Sequence, residues 1–270
     1  MSDRPQRRSA RLASVDTVLD AMVAAARAGG AIALDHFRHG VDVALKADRS
    51  PVTIADREAE EAVVAALARA CPDYGVLGEE SGARGVQSRR FIVDPIDGTR
   101  NFSRGVPYWA VLIALEEDGV VTAGVIHQPV SGETYTARRG AGARLDGVPI
   151  RVSAIDDLAQ ATVAHGTLRI LRRRGKWDGF VRLVDASRSQ RGFGDFLCYA
   201  WLAAGRVEVA LGLNVKIWDL AAPNIIVEEA GGRLTDIDGN DSLTSGTVLA
   251  SNGRLHARAL HLLNAGAAAG

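Results

Sequence analysis

The 270-residue chain reads as a mixed α/β (α+β) fold in two subdomains, and three observations predict it. Helical periodicity fills the stretch up to about residue 70. Antiparallel strand patterning with tight turns then runs to about residue 150, and beyond that strands alternate with helices.

Val15 to Phe37 forms an Ala-rich amphipathic helix, because Val15, Val18, Leu19, Met22, Val23 and Ala26 recur at the helical period. Gly40 closes it. After Ser50-Pro51 a second helix begins at Thr53 or Ile54, with Thr53 as N-cap and Asp56 three residues on, and Cys71-Pro72-Asp73 ends it. The period then changes. Tyr74 to Leu77, Phe91 to Val93, Trp109 to Leu115 and Val120 to Gln128 are strands, the last two joined by an Asp118-Gly119 hairpin turn. Thr134 to Ala137 and the glycine-rich turn at Gly140 and Gly142 continue the meander.

The second half predicts strand Thr162 to His165, a helix from Leu168 to Ala186, and a short strand from Arg188 to Gly192. Helix Asp195 to Ala204, strand Val207 to Leu211 and helix Leu220 to Ala230 follow. Strands Arg233 to Asp236 and Thr247 to Ala250 precede a last helix from about Leu255. The expected division is a flexible tail at 1–13, an N-terminal α+β subdomain at 14–155 and a C-terminal α/β subdomain at 156–265.

Lys plus Arg and Asp plus Glu both number 32, so the net charge is zero and gives no global case for nucleic acid or an acidic membrane. Arg4, Arg7, Arg8 and Arg11 crowd the start, where a frayed tail is preferred over a nucleic-acid arm. No stretch is expected to meet the roughly 18 apolar residues of a membrane helix, and no apolar core follows the Arg-rich start. Cys71 and Cys198 form no paired motif, which fits a reduced, cytoplasmic setting.

The chemistry gathers in acidic residues at strand ends. Phe91-Ile92-Val93 leads to Asp94, Pro95 is expected to stop the ladder, and Asp97 follows before Gly98-Thr99. Such a turn aims two carboxylates and a backbone carbonyl at one point, a set of hard oxygen donors suited to Mg²⁺. The amides of Gly98 and Thr99 are then placed to face a phosphate. Alone, Asp-x-x-Asp reads more readily as a solvated turn. Gly78-Glu79-Glu80-Ser81 also follows an apolar strand, and adjacent acids are costly there without a cation. Trp218-Asp219-Leu220 opens an apolar helix, where Asp219 is either an N-cap or a further ligand. Lys46, Asp48, Thr53 and Asp56 either support the site from a loop or serve as cap and surface charge.

Rival chemistries lack their residues. Neither cysteine begins a Cys-x₅-Arg loop, and neither Gly-x-Ser-x-Gly nor HExxH occurs. Asp236 to Asn240 reads as a turn, His36 and His39 as a helix boundary, and Arg172 to Arg174 with Lys176 as a solvated helix face.

Three motifs together, GEES at 78–81, DPIDGT at 94–99 and WDLAAPNIIVEEAGG at 218–232, resemble the Mg²⁺-dependent inositol monophosphatase superfamily over nearly the whole chain. The resemblance implies a layered αβαβα sandwich, usually a homodimer, acting on a small phosphorylated metabolite. It implies ligation of two or three Mg²⁺ by Glu79, Asp94, the Ile96 carbonyl, Asp97 and Asp219. A water oriented by Glu79 and Thr99 would attack phosphorus, with Asp94 in the catalytic set.

Members acting on inositol phosphate usually carry Glu seven residues before the Trp-Asp aspartate, and that position here is Gly212. Arg191-Gly192-Phe193-Gly194-Asp195 and the Trp109 that follows the DPIDGT loop are similar to the histidinol-phosphatase branch. Asp195 would read a substrate cation, and Arg191, Asp97, Gly98, Thr99 and Asp219 complete the expected substrate-binding set. The alternative for Asp195 is a helix N-cap. The implied reaction is hydrolysis of L-histidinol phosphate. Inositol 1-phosphate or a sugar or polyol phosphate is the alternative substrate, and a non-catalytic regulatory relative the alternative class.

Overall fold

The computed structural model describes residues 15–40, 43–45 and 51–265. The expected N-terminal tail, Lys46 and Asp48 lie outside these residues.

Helix α1 spans Val15–His39, strands β1 and β2 (Val43–Leu45, Pro51–Thr53) pair as a ribbon, and α2 covers Ile54–Ala70. Strands β3 (Gly75–Gly78), β4 (Gly82–Arg84) and β5 (Arg89–Asp97) are followed by one turn of helix, α3, at Thr99–Phe102. Strands β6 (Ala110–Glu117), β7 (Val120–His127), β8 (Thr134–Arg138), β9 (Gly142–Leu145) and β10 (Val148–Ile150) form the meander. The eight-stranded sheet has the order β10-β9-β8-β7-β6-β5-β3-β4 and is antiparallel except where β3 runs parallel to β5.

Strand β11 (Thr162–His165) leads through α4 (Arg169–Arg173) and α5 (Trp177–Ala186) to β12 (Ser189–Arg191). Next come α6 (Asp195–Ala203), β13 (Val209–Leu213), α7 (Ile217–Glu229), β14 (Arg233–Thr235), β15 (Thr247–Ser251) and α8 (His256–Asn264). These strands make a five-stranded mixed sheet in the order β12-β11-β13-β15-β14.

Strand alternation stacks the layers. Phe91, Val93, Val111, Ile113 and Leu115 pack on Val18, Met22, Val63 and Leu67 of α1 and α2. The intervening Ile92, Leu112 and Ala114 point the other way, onto α6 and α7. Ala164, Ala210, Val248 and Ala250 of the small sheet close on the same two helices, while Val163, Val209 and Leu249 face α5 and α8. The result is the αβαβα sandwich. Its central layer, α6 and α7, is apolar nearly all round, as burial between two sheets requires.

Several expectations need correction. The helix expected over Leu168 to Ala186 is broken at Gly175, whose φ of 65° ends α4. Lys176 is not solvated: its ammonium lies 2.9 Å from Asp238 Oδ1 and also donates to Asn264. Strand β5 does not stop at Pro95 but bulges between Asp94 and Asp97, so the ladder resumes at Asp97–Ala110. Helix α7 begins at Ile217, which leaves Asp219 in its first turn and not at its start. Thr17–His39 is long and apolar enough to cross a membrane by length and composition, contrary to expectation. Val18, Met22, Ala25 and Ala26 of that stretch are buried in the core, so its apolar face is a packing face.

Candidate active site

The parallel pairing of β3 with β5 ends at Gly78 and Val93, and the N–H of Glu79 donates to the Val93 carbonyl at 3.1 Å. The Glu79 turn and the Asp94 bulge therefore open onto one cleft. The first turn of α7 supplies Asp219 from the central helical layer. Carboxylate oxygens of Asp94, Asp97 and Asp219 all lie within 4.8 Å of one another. Asp94 and Asp97 are buried and Asp219 half-buried.

The local bonding explains the aim of each side chain. Asp94 Oδ1 accepts the Ile96 N–H at 3.0 Å across the bulge. Asp97 accepts the N–H of Phe196 at the start of α6, where a carboxylate meets the positive end of the helix. Asp219 Oδ2 accepts the Lys216 N–H at 2.7 Å and so turns back toward the cleft. Gly98 holds φ at 92°, a left-handed conformation that other residues adopt only with strain, and it starts α3 at Thr99. The Thr99 hydroxyl donates to the Ile96 carbonyl at 3.0 Å, which leaves that oxygen a second lone pair.

Crowded acids resist ionising. Burial, then the charges of Glu79, Asp97, Asp219 and Asp56, push the Asp94 pKa well up. Burial and the neighbouring Asp195 and Asp219 do the same to Asp97, against the Phe196 amide. Asp219 is raised to about 7, by burial first and the Glu79 charge next, the Lys216 amide opposing. A set of like charges built only of oxygen donors is stable when protonated or when it holds a hard cation. The donor set fits Mg²⁺.

Two residues of α2 complete the frame. Asp56 is buried, accepts both the N–H and the hydroxyl of Thr53 at 2.7 Å, and lies 3.4 Å from the Thr99 hydroxyl. It is thus cap and site support at once, not a surface charge. Glu60, one turn on and 2% exposed, was missed by sequence reasoning. Its carboxylate accepts the N–H groups of Glu80 and Ser81, each at 2.8 Å, and fixes the turn that presents Glu79. Gly78 is required for space there, since a Cβ would meet Glu60 Oε1 at 2.5 Å. The available signal was an acid lying in the same stripe as Ala59 and Val63.

On the open side of the cleft the expectations divide. Asp195 is not the N-cap of α6: Gly194 holds that place, and Asp195 sits in the first turn with a φ of 52°. The residue is exposed, and its Oδ2 accepts from Asn101 Nδ2 at 3.2 Å. Surrounding protein raises it to about 6, with Arg100 opposing. Arg191 is exposed, its guanidinium bonded to the Gln190 carbonyl at 2.7 Å, and it is not among the groups gathered at the carboxylates. Trp109 is fully buried against Phe37 and Phe102, so it is a core residue. Tyr108, whose carbonyl shares the Asn101 amide with Asp195, and the exposed Phe193, two residues before Asp195, have ring centroids 4.9 Å apart, and neither was singled out from sequence.

The sequence matches the model of the inositol monophosphatase family over residues 14–267. A histidinol-phosphatase of Mycobacterium tuberculosis is 44% identical over 92% of this chain and 98% of its own length. An inositol-1-monophosphatase of Mesorhizobium japonicum is 38% identical over 87% of this chain and 91% of its own. The solved structure of the extragenic suppressor protein suhB from Bartonella henselae superposes with a TM-score of 0.87 at 36% identity, covering 92% of this chain and 99% of that one. By its layers, its clustered carboxylates and these matches, the chain belongs to the inositol monophosphatase family of phosphatases.

Proposed function

We propose that this chain is a Mg²⁺-dependent phosphomonoesterase whose substrate is L-histidinol phosphate. The observation that carries the substrate reading is Asp195. Its carboxylate stands beside the acidic cluster and shares the Asn101 amide with the Tyr108 carbonyl, while Phe193, two residues before it, meets the Tyr108 ring at 4.9 Å. A carboxylate pairs with an ammonium or imidazolium, and aromatic faces suit a flat heterocycle. Gly212 gives no side chain for polyol hydroxyls, and the resemblance to a histidinol-phosphatase at 44% identity supports the same choice.

Glu79, Asp94, the Ile96 carbonyl, Asp97 and Asp219 would hold two or three Mg²⁺. Bound there, the ions supply charge neutralisation for the phosphoryl group and lower the pKa of water. Thr99, kept in place by the Ile96 carbonyl and near Asp56, orients the attacking water together with Glu79. Gly98 and Thr99 offer their amides to phosphate. Free, buried Cys71 and Cys198 fit work in the cytoplasm, and the family resemblance supports a homodimer.

Phosphate release from L-histidinol phosphate and from myo-inositol 1-phosphate tests the reading. The expected kcat/KM favours histidinol phosphate by about 100-fold, the discrimination of one desolvated ion pair. A strong preference for the inositol ester ends it.

A further inference from the structure

Asp195 has one oxygen committed and one to spare. Its Oδ2 accepts from Asn101 Nδ2 at 3.2 Å, while Oδ1 accepts no hydrogen bond from any described residue. The same Asn101 amide spends its other hydrogen on the Tyr108 carbonyl at 3.0 Å. Both acceptors close on Gly98. A methyl group built there would meet the Tyr108 carbonyl oxygen at 2.9 Å and Asp195 Oδ2 at 3.3 Å. The Asp195 carboxylate therefore lies against the bare Cα of the loop that carries Asp97 and Thr99, and Asn101 fastens it there.

Asn101 is itself held by its backbone. Its N–H donates to the Gly98 carbonyl at 2.8 Å, and its carbonyl accepts from Arg104 at 3.1 Å and Val106 at 2.9 Å. The amide thus reaches out from a fixed turn. Asp195, by contrast, is exposed and has a left-handed φ of 52°, a conformation that persists only where neighbouring contacts hold it. The next residue adds a second tie to the same loop, from the Phe196 N–H to Asp97. An exposed aspartate without an anchor samples several rotamers and gives up that freedom when it meets a ligand. Fixing Oδ2 removes that cost in advance and leaves Oδ1 for the substrate.

We infer that Asn101 is a positioning residue for substrate selection and acts through Asp195. It holds that carboxylate in register with the phosphate-binding loop, so that the phosphate and the cationic group of one substrate are read at a fixed separation. An ester without a cation gains nothing from the anchor. The inference rests on the substrate reading above and deepens it.

The test is kcat/KM for L-histidinol phosphate and for p-nitrophenyl phosphate, which carries no cation, with Mg²⁺ supplied. It compares the wild type, Asn101→Ala, Asp195→Ala and the double variant. Asn101→Ala also takes a donor from the Tyr108 carbonyl, a structural loss that would weigh on both esters alike. The expected loss in Asn101→Ala is about 10-fold greater on histidinol phosphate than on the aryl ester, and the excess lies mainly in KM. In the Asp195→Ala background that excess should vanish, because the anchor has nothing left to hold. Thermal melts check that each variant is folded. Asn101→Ser, which keeps a polar group at the position, takes the place of an alanine variant that is not, with an excess of the same sign expected. Equal losses on the two esters, no loss, or an excess that survives in Asp195→Ala overturns the inference while leaving the substrate reading in place. A wild type that does not turn over L-histidinol phosphate overturns both.

Discussion

Asp94→Asn should lower phosphate release by about 10³-fold or more and leave the protein folded. The substitution keeps the shape of the side chain and an oxygen that accepts the Ile96 N–H, a bond of 3.0 Å in the native protein. What it removes is one negative charge from the middle of the carboxylate set, where burial and Glu79, Asp97, Asp219 and Asp56 oppose ionisation. Function and stability should therefore move in opposite directions. Without divalent cations the variant should melt at or above the wild-type temperature, because a buried like-charge repulsion is gone. With Mg²⁺ it should gain less than the wild type does. Steady-state kinetics and thermal melts on one preparation check both halves, and near-normal turnover would contradict the metal assignment.

Stabilisation by Mg²⁺ should grow steeply with pH. Asp219 and Asp195 have pKa values raised from 3.8 to about 7 and about 6, and Asp94 and Asp97 are raised as well. The folded protein therefore keeps protons that the unfolded chain has already lost. Stability from these groups is full below about pH 4 and is lost as pH rises through the 6–7 range. His256 acts oppositely. Its pKa is lowered to about 4 by burial, so its contribution is present above 6.5 and is lost as pH falls through 4. The readout is accordingly the difference between melts with and without Mg²⁺ at each pH, in which His256 cancels. Protons and Mg²⁺ compete for the same oxygens. At pH 8 a concentration about 100 times Kd should raise Tm by on the order of 5–10 °C, and at pH 5 the shift should nearly vanish. A shift independent of pH would place the cation elsewhere.

Much of this site was legible because strand-end acids are a local signal. Asp94, Asp97 and Glu79 each follow an apolar run that must be a buried strand, so their delivery to an edge needs no knowledge of the fold. Asp219 was legible as a candidate ligand but not as a helix position. Ile217 and Trp218 are apolar, and nothing local shows that the helix begins before the acid. Pro95 read as a strand end because its missing N–H should break a ladder; a bulge satisfies the same constraint while letting pairing resume.

Long-range partners were the hidden part. Asp195 bonds Asn101, 94 residues away, and Glu60 holds a turn 20 residues on, which no periodicity reports. A period count scores an acid in an apolar stripe as a defect, yet Asp56 and Glu60 are buried there because the cleft uses them. Trp109 failed for the converse reason. It lies just ahead of β6, outside the strand, and its ring packs into the aromatic core beside Phe37 and Phe102.

Crystals of the wild-type protein soaked in Mn²⁺, with anomalous scattering used to locate the ion, bear on the central claim without any assay. Density should stand among Glu79, Asp94, Asp97 and Asp219, about 2.2 Å from their oxygens. Manganese bound only at other places, with those four side chains still bare, would contradict it.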